Sequence, residues 1–206
     1  MKVITLSLAF IFCSFIQAAD FEYVGTNKCK SCHKSAKKGE QYVKWEASSH
    51  SKAFATLLTE KAVAIAKEMK LETAPHESAE CLICHTVGFG SGGYEVQDEA
   101  FYNPADDDKK GKKAAKRMLN LQNVGCESCH GPGSKYKSKK VMQAIYTGAT
   151  KGLDVGMNEV SKETCLECHN EKSPTSKEFN FEEMLAKISH RSEERRVGKE
   201  CRSRWS

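Results

Sequence analysis

Val124-Gly125-Cys126-Glu127-Ser128-Cys129-His130-Gly131-Pro132-Gly133 carries at its centre two cysteines two residues apart, followed at once by a histidine. The same pentapeptide recurs at Cys29-Lys30-Ser31-Cys32-His33, Cys81-Leu82-Ile83-Cys84-His85 and Cys165-Leu166-Glu167-Cys168-His169. Cys-x-x-Cys-His is the attachment site of c-type haem. Two thiols add across the two vinyl groups, whose separation the two intervening residues match. The next residue turns an imidazole onto the iron from the proximal side. The sequence therefore predicts four covalent c-type haems, tethered by Cys29, Cys32, Cys81, Cys84, Cys126, Cys129, Cys165 and Cys168. His33, His85, His130 and His169 are the proximal iron ligands.

Zinc is the competing reading of paired cysteines, since two such pairs can close an all-thiolate tetrahedral site. It does not require a histidine after each second cysteine. With 7 histidines in 206 residues, four such coincidences are on the order of one in a million. A thioredoxin-like redox motif would be a single copy in a βαβ context. Of the ten cysteines, the eight in the motifs leave only Cys13 and Cys201, both near the ends. The body thus has no disulfide framework, and its covalent staples are the cofactors.

Residues 1–19 read as a signal peptide: Lys2, an apolar stretch from Val3 to Ile16, then small residues before Asp20. The stretch is short for a membrane span, and Cys13 lacks the preceding small residues of a lipoprotein cleavage site. Periplasmic localisation follows, with no integral membrane segment in the mature chain; c-type haem is attached outside the cytoplasm. Residues 191–206 hold five of the six arginines, whereas 20–190 holds Arg117 against 24 lysines. This tail reads as a non-native read-through, behind which a true C-terminus and a further ligand can be missing. Residues 20–190 form the expected single tetrahaem domain.

The formal charge of +5 belongs largely to the ends. Residues 20–190 carry 25 basic and 24 acidic side chains, and haem propionates shift the balance to acid. Nucleic-acid binding is not indicated. The lysine runs at 109–113 and 135–140 suit propionates or an acidic redox partner, although such runs are more often solvated helix faces.

The motifs start 52, 45 and 39 residues apart, so no strict repeat is present. A chain with 39% hydrophobic residues cannot surround four haems with a large core, and the porphyrins must supply much of the buried apolar surface. The spacing predicts helices over 34–48, 50–70, 109–121, 141–146 and 181–190. A glycine-rich loop, with a short strand as an option, is predicted over 87–96, and a break at Gly131-Pro132-Gly133. The fold class is mostly α: a multihaem cytochrome c fold with long irregular connections.

Three histidines remain as distal ligand candidates: His50, His76 and His190. Two imidazoles saturate an iron and leave it only electron transfer, whereas an open face binds small molecules. Three spare histidines for four irons predict three saturated haems and one open. Met69, Met118, Met142, Met157 and Met184 are alternative ligands, though methionine at helical spacing is more often packing.

The stretch 124–133 resembles the tetrahaem cytochrome c-554 family. So do Gly88-Phe89-Gly90 with Gly92-Gly93-Tyr94, the segment Trp45 to Phe54 around His50, and Phe179-Asn180-Phe181-Glu182-Glu183-Met184 leading to His190. The resemblance implies a mostly helical fold with haems in closely stacked pairs, a second haem without a strong sixth ligand, and hydroxylamine oxidoreductase as the best-known member's electron donor. By motif position it implies that His50 ligates the fourth haem and His190 the third. The family also has a histidine shortly after Gly-Pro-Gly that ligates the first haem. Residues 134–150 contain none, and His76 has no obvious counterpart. His76 can serve the first haem or the second, or the first haem takes another ligand.

The leading expectation is a periplasmic electron carrier working with periplasmic or membrane-bound redox proteins. A reductase of small nitrogen or sulfur oxides at an open-faced haem is the alternative. A haem sensor or complex subunit comes third, for want of an attached signalling segment. Enzymatic activity is left open, with the carrier favoured.

Overall fold

The structure, a computed structural model, describes residues 21–190; the expected leader and the arginine-rich tail lie outside them. Eleven α-helices run through the described residues: α1 (Asn27–His33), α2 (Gln41–Ala47), α3 (Ala53–Thr56), α4 (Glu60–Glu68), α5 (Ala79–His85), α6 (Glu99–Tyr102), α7 (Lys109–Leu119), α8 (Cys126–His130), α9 (Lys139–Thr147), α10 (Lys162–Leu166) and α11 (Phe181–Ile188). No β-strand forms among these residues; the one isolated bridge pairs Thr86 with Gln122. The mostly helical class with long connections is what the chain adopts.

The motifs lie on helices. The first three lie wholly on α1, α5 and α8, and α10 carries Cys165 with His169 one turn beyond. One turn of α-helix places residues i and i+3 on one face, so both thiols of a motif can reach one porphyrin edge.

Two of the expected long helices are broken, for local reasons. Within 50–70, a 3₁₀ turn (Ser49–Lys52) and α3 are separated from α4 at Thr59. The Thr59 hydroxyl accepts from Ala62 N at 3.3 Å and starts α4 afresh. Within 34–48, Gly39 (φ 98°) and Glu40 (φ 52°) take left-handed conformations, so α2 begins only at Gln41. The breaks at Thr59 and Gly39 correct the continuous helices predicted from periodicity. The other boundaries follow the expected signals. Asp108 caps α7 by accepting from Gly111 N at 2.8 Å, and α9 and α11 occupy their predicted segments. Gly131 (φ 76°) ends α8, and a side chain there would collide with Gly156 O.

The core is small. Phe54, Leu57, Leu82, Val87, Tyr94, Met118 and Leu121 form one cluster, with Leu82, Val87 and Leu121 fully enclosed. Leu82 is one of the two residues between Cys81 and Cys84, so the second motif is nailed into the core by its own spacer. The other spacer, Ile83, is 63% exposed, and Leu58 and Leu153 are exposed to a similar degree. Apolar surface left open beside the thiols is what a protein looks like when part of its interior is a cofactor. Ala115 and Met118 seat α7 inward while its lysines face solvent.

Candidate haem-binding site

Each motif histidine is held by a different device. His85 donates from Nδ1 to Ala53 O at 2.6 Å, which leaves Nε2 as the free ring nitrogen. His33 Nδ1 lies 3.3 Å from Gln41 Oε1. Gln41 Nε2 is given to Lys38 O at 2.5 Å, so the amide oxygen faces the imidazole. His169 stacks on Phe179, ring centres 4.6 Å apart and planes within 16°. His130 is pulled down to about 4 by burial, with the charges of His190 and His33 adding to it. It is therefore neutral at physiological pH, as a metal-ligating imidazole must be.

Two of the spare histidines sit across from motif histidines. His50 faces His169 of the fourth motif with ring centres 6.1 Å apart. His190 faces His130 of the third, also at 6.1 Å. A metal–nitrogen bond of about 2 Å on either side, with the ring radii added, requires about 6.3 Å between centres. Each gap thus has room for one iron between two imidazoles. Burial lowers the basicity of both His50 and His190, keeping them neutral, and His190 Nδ1 donates to Ile188 O at 3.0 Å.

His50 is positioned by a clamp. Val124 N donates to His50 O at 3.2 Å, and Trp45 Nε1 donates to Val124 O at 2.8 Å. The Ser48 hydroxyl donates to Trp45 O at 2.7 Å. His76 is placed differently. It lies in the turn that opens α5, with its side chain 40% exposed and Nε2 4.0 Å from Glu77 Oε1. Among the described residues, the structure brings no second imidazole to face His33 or His85.

The thiols of different motifs also meet. Cys29 and Cys126 lie close enough to perturb one another, linking motifs one and three, as do Cys84 and Cys168, linking two and four. Cys129 and Cys165 lie close enough to perturb one another. All eight are free and partly buried.

Three supporting residues were not legible in the sequence. Glu127, one of the third motif's spacers, is buried and accepts from Val24 N, Gly25 N and Gly133 N at 2.6–3.1 Å. Nothing in a Cys-Glu-Ser-Cys-His string separates a buried glutamate from a solvated one. Gln41 carried no signal beyond being polar, and Phe179 stood out only as part of the family-like stretch, with nothing to pair it with His169.

Thiol pairs on single helical turns, each followed at once by an imidazole, define a c-type cytochrome. The profile of the family described as "Cytochrome c554 and c-prime" matches residues 28–131, and the chain belongs to that family. Cytochrome c-554 of Nitrosomonas europaea is 31% identical over 162 residues, covering 74% of this chain and 59% of that protein. The chain therefore spans about three-fifths of the length of that curated relative. The solved structure of reduced cytochrome c554 from Nitrosomonas europaea superposes with a TM-score of 0.54 at 28% identity, covering 84% of this chain and 86% of the other. No helix among the described residues is long and apolar enough to cross a membrane.

Proposed function

We propose that this protein is a periplasmic carrier that passes electrons between redox proteins by way of four covalently attached haems. When bound, the haem supplies an iron that alternates between ferrous and ferric states. The chain does the rest. Its eight motif cysteines would tether the four groups, and His33, His85, His130 and His169 would ligate the irons. His50 would serve the fourth site and His190 the third, and two imidazole ligands would suit those irons to electron exchange rather than to chemistry on a substrate.

The facing imidazole pairs, both at 6.1 Å, carry this reading. The thiol contacts support an order along the molecule. Cys29 with Cys126, Cys129 with Cys165 and Cys168 with Cys84 set the attachment edges in the sequence one, three, four, two. Ala53 O and the Phe179 ring fix the His85 and His169 orientations, so little rearrangement accompanies a change of charge.

The test is a potentiometric titration of the mature holoprotein followed optically, with its intact mass measured alongside. Four haems per chain, several distinct midpoints and largely low-spin spectra are the expected result. A metal-only adduct, unmodified thiols, or a single high-potential methionine-ligated signature defeats the proposal.

A further inference from the structure

We propose that the haem tethered at Cys29 and Cys32 keeps an exchangeable sixth position, making it a binding site for a neutral diatomic ligand in addition to any at the second motif. The inference rests on the four-haem reading above. It follows from what each remaining donor is doing. His50 and His190, two of the three spare histidines, face His169 and His130, which removes them from service at the first motif. That leaves His76. Its turn is closed by Glu77 N and Ser78 N bonding Ala74 O at 2.9 and 3.0 Å, and its half-exposed ring points to Glu77. The fixed neighbours of α1 are different: Asn120 O receives Thr26 N, Asn27 receives the Tyr42 hydroxyl, and Cys126 meets Cys29.

Tyr136 and Met118, an oxygen and a sulfur donor, are also committed. Tyr136 is buried beside Cys29 and Cys126, but its hydroxyl donates to Gly131 O at 2.5 Å and His130 O at 3.1 Å. Met118 lies in the core with its sulfur accepting from Glu95 N at 3.1 Å.

Ligand class follows from the proximal side. The His33 Nδ1 proton meets a neutral amide oxygen, Gln41 Oε1, at 3.3 Å, not a carboxylate. A carboxylate partner would give imidazolate character and favour ferric iron; an amide leaves a neutral imidazole, which favours ferrous iron and π-accepting neutral ligands such as carbon monoxide.

Carbon monoxide binding to the dithionite-reduced holoprotein of the 206-residue chain tests this, in wild type, His76→Ala and Gln41→Glu. Two carbon monoxide molecules per four haems are expected in wild type and in His76→Ala alike. In Gln41→Glu, the C–O stretch of one of the two bound molecules shifts while the other stays. One molecule in wild type whose stretch ignores Gln41→Glu, rising to two in His76→Ala, makes His76 the ligand of the first haem and overturns the proposal. A methionine-type charge-transfer band with one molecule bound, or two molecules neither of which responds to Gln41→Glu, overturns it as well. Fewer than four haems by mass instead removes the reading beneath it.

Discussion

Glu127 shows how much a single spacer residue can do. Four hydrogen bonds at 2.6–3.1 Å hold its carboxylate between Val24, Gly25 and Gly133. Glu127→Gln replaces an all-acceptor group with one that must point an N–H₂ at other N–H groups. A loss of about 1–3 kcal/mol is expected in denaturant unfolding of the holoprotein. The pH dependence has a definite sign. Burial lifts this carboxyl above its ordinary 4.5, outweighing the N–H bonds and Arg117, which pull it down. A raised acid binds more protons folded than unfolded, so its contribution is greatest below pH 4.5 and declines as pH rises through the folded value. The gap in thermal midpoint between wild type and Glu127→Gln therefore narrows from about pH 4 toward neutrality; a gap that widens contradicts the assignment.

At the scale of elements, the second motif and α7 are the places to press. Leu82 is fully enclosed among Phe54, Leu57, Val87 and Met118. Leu82→Ala should cost about 2–5 kcal/mol, and because it sits between Cys81 and Cys84 it should also lower haem occupancy of the second motif, read by mass. Asp108→Ala removes the α7 cap bond to Gly111 N and should cost about 1 kcal/mol with optical spectra unchanged. These elements also mark how far a sequence can be read. The Asp-rich start of α7 and the apolar face of α11 are local signals, and the helices begin where those signals stand. The restart at Thr59 was hidden because apolar spacing continues across it, while one side-chain hydroxyl decides the backbone. Motif helices were hidden because segments of five to seven residues rich in cysteine carry no periodic signal. Which imidazole faces which is a matter of contacts between residues 119 positions apart for His50 and His169, beyond any local pattern.

For the whole molecule, the balance between interior and surface is the governing fact. Seven side chains form the described core, while Leu58, Ile83 and Leu153 stand more than half exposed. So small a core cannot offset the conformational entropy of some 170 residues by itself (on the order of 1–2 kcal/mol per residue). A chain with all eight motif cysteines changed to alanine should show far-UV circular dichroism of a largely unfolded protein, whereas the mature holoprotein melts cooperatively. A well-folded cysteine-free chain would remove the argument that the cofactors are the missing interior.

Residues 22–26 are fastened by partners far downstream. Glu22 exchanges bonds with Ser134, Tyr23 O receives Arg117 Nε, Val24 and Gly25 meet Glu127, and Thr26 reaches Asn120. The Cys29–His33 pentapeptide lacks these anchors until residues 117–134 have followed it into place. Until then its thiols belong to a slack, accessible tether, which is the form in which a ligating enzyme can grip them.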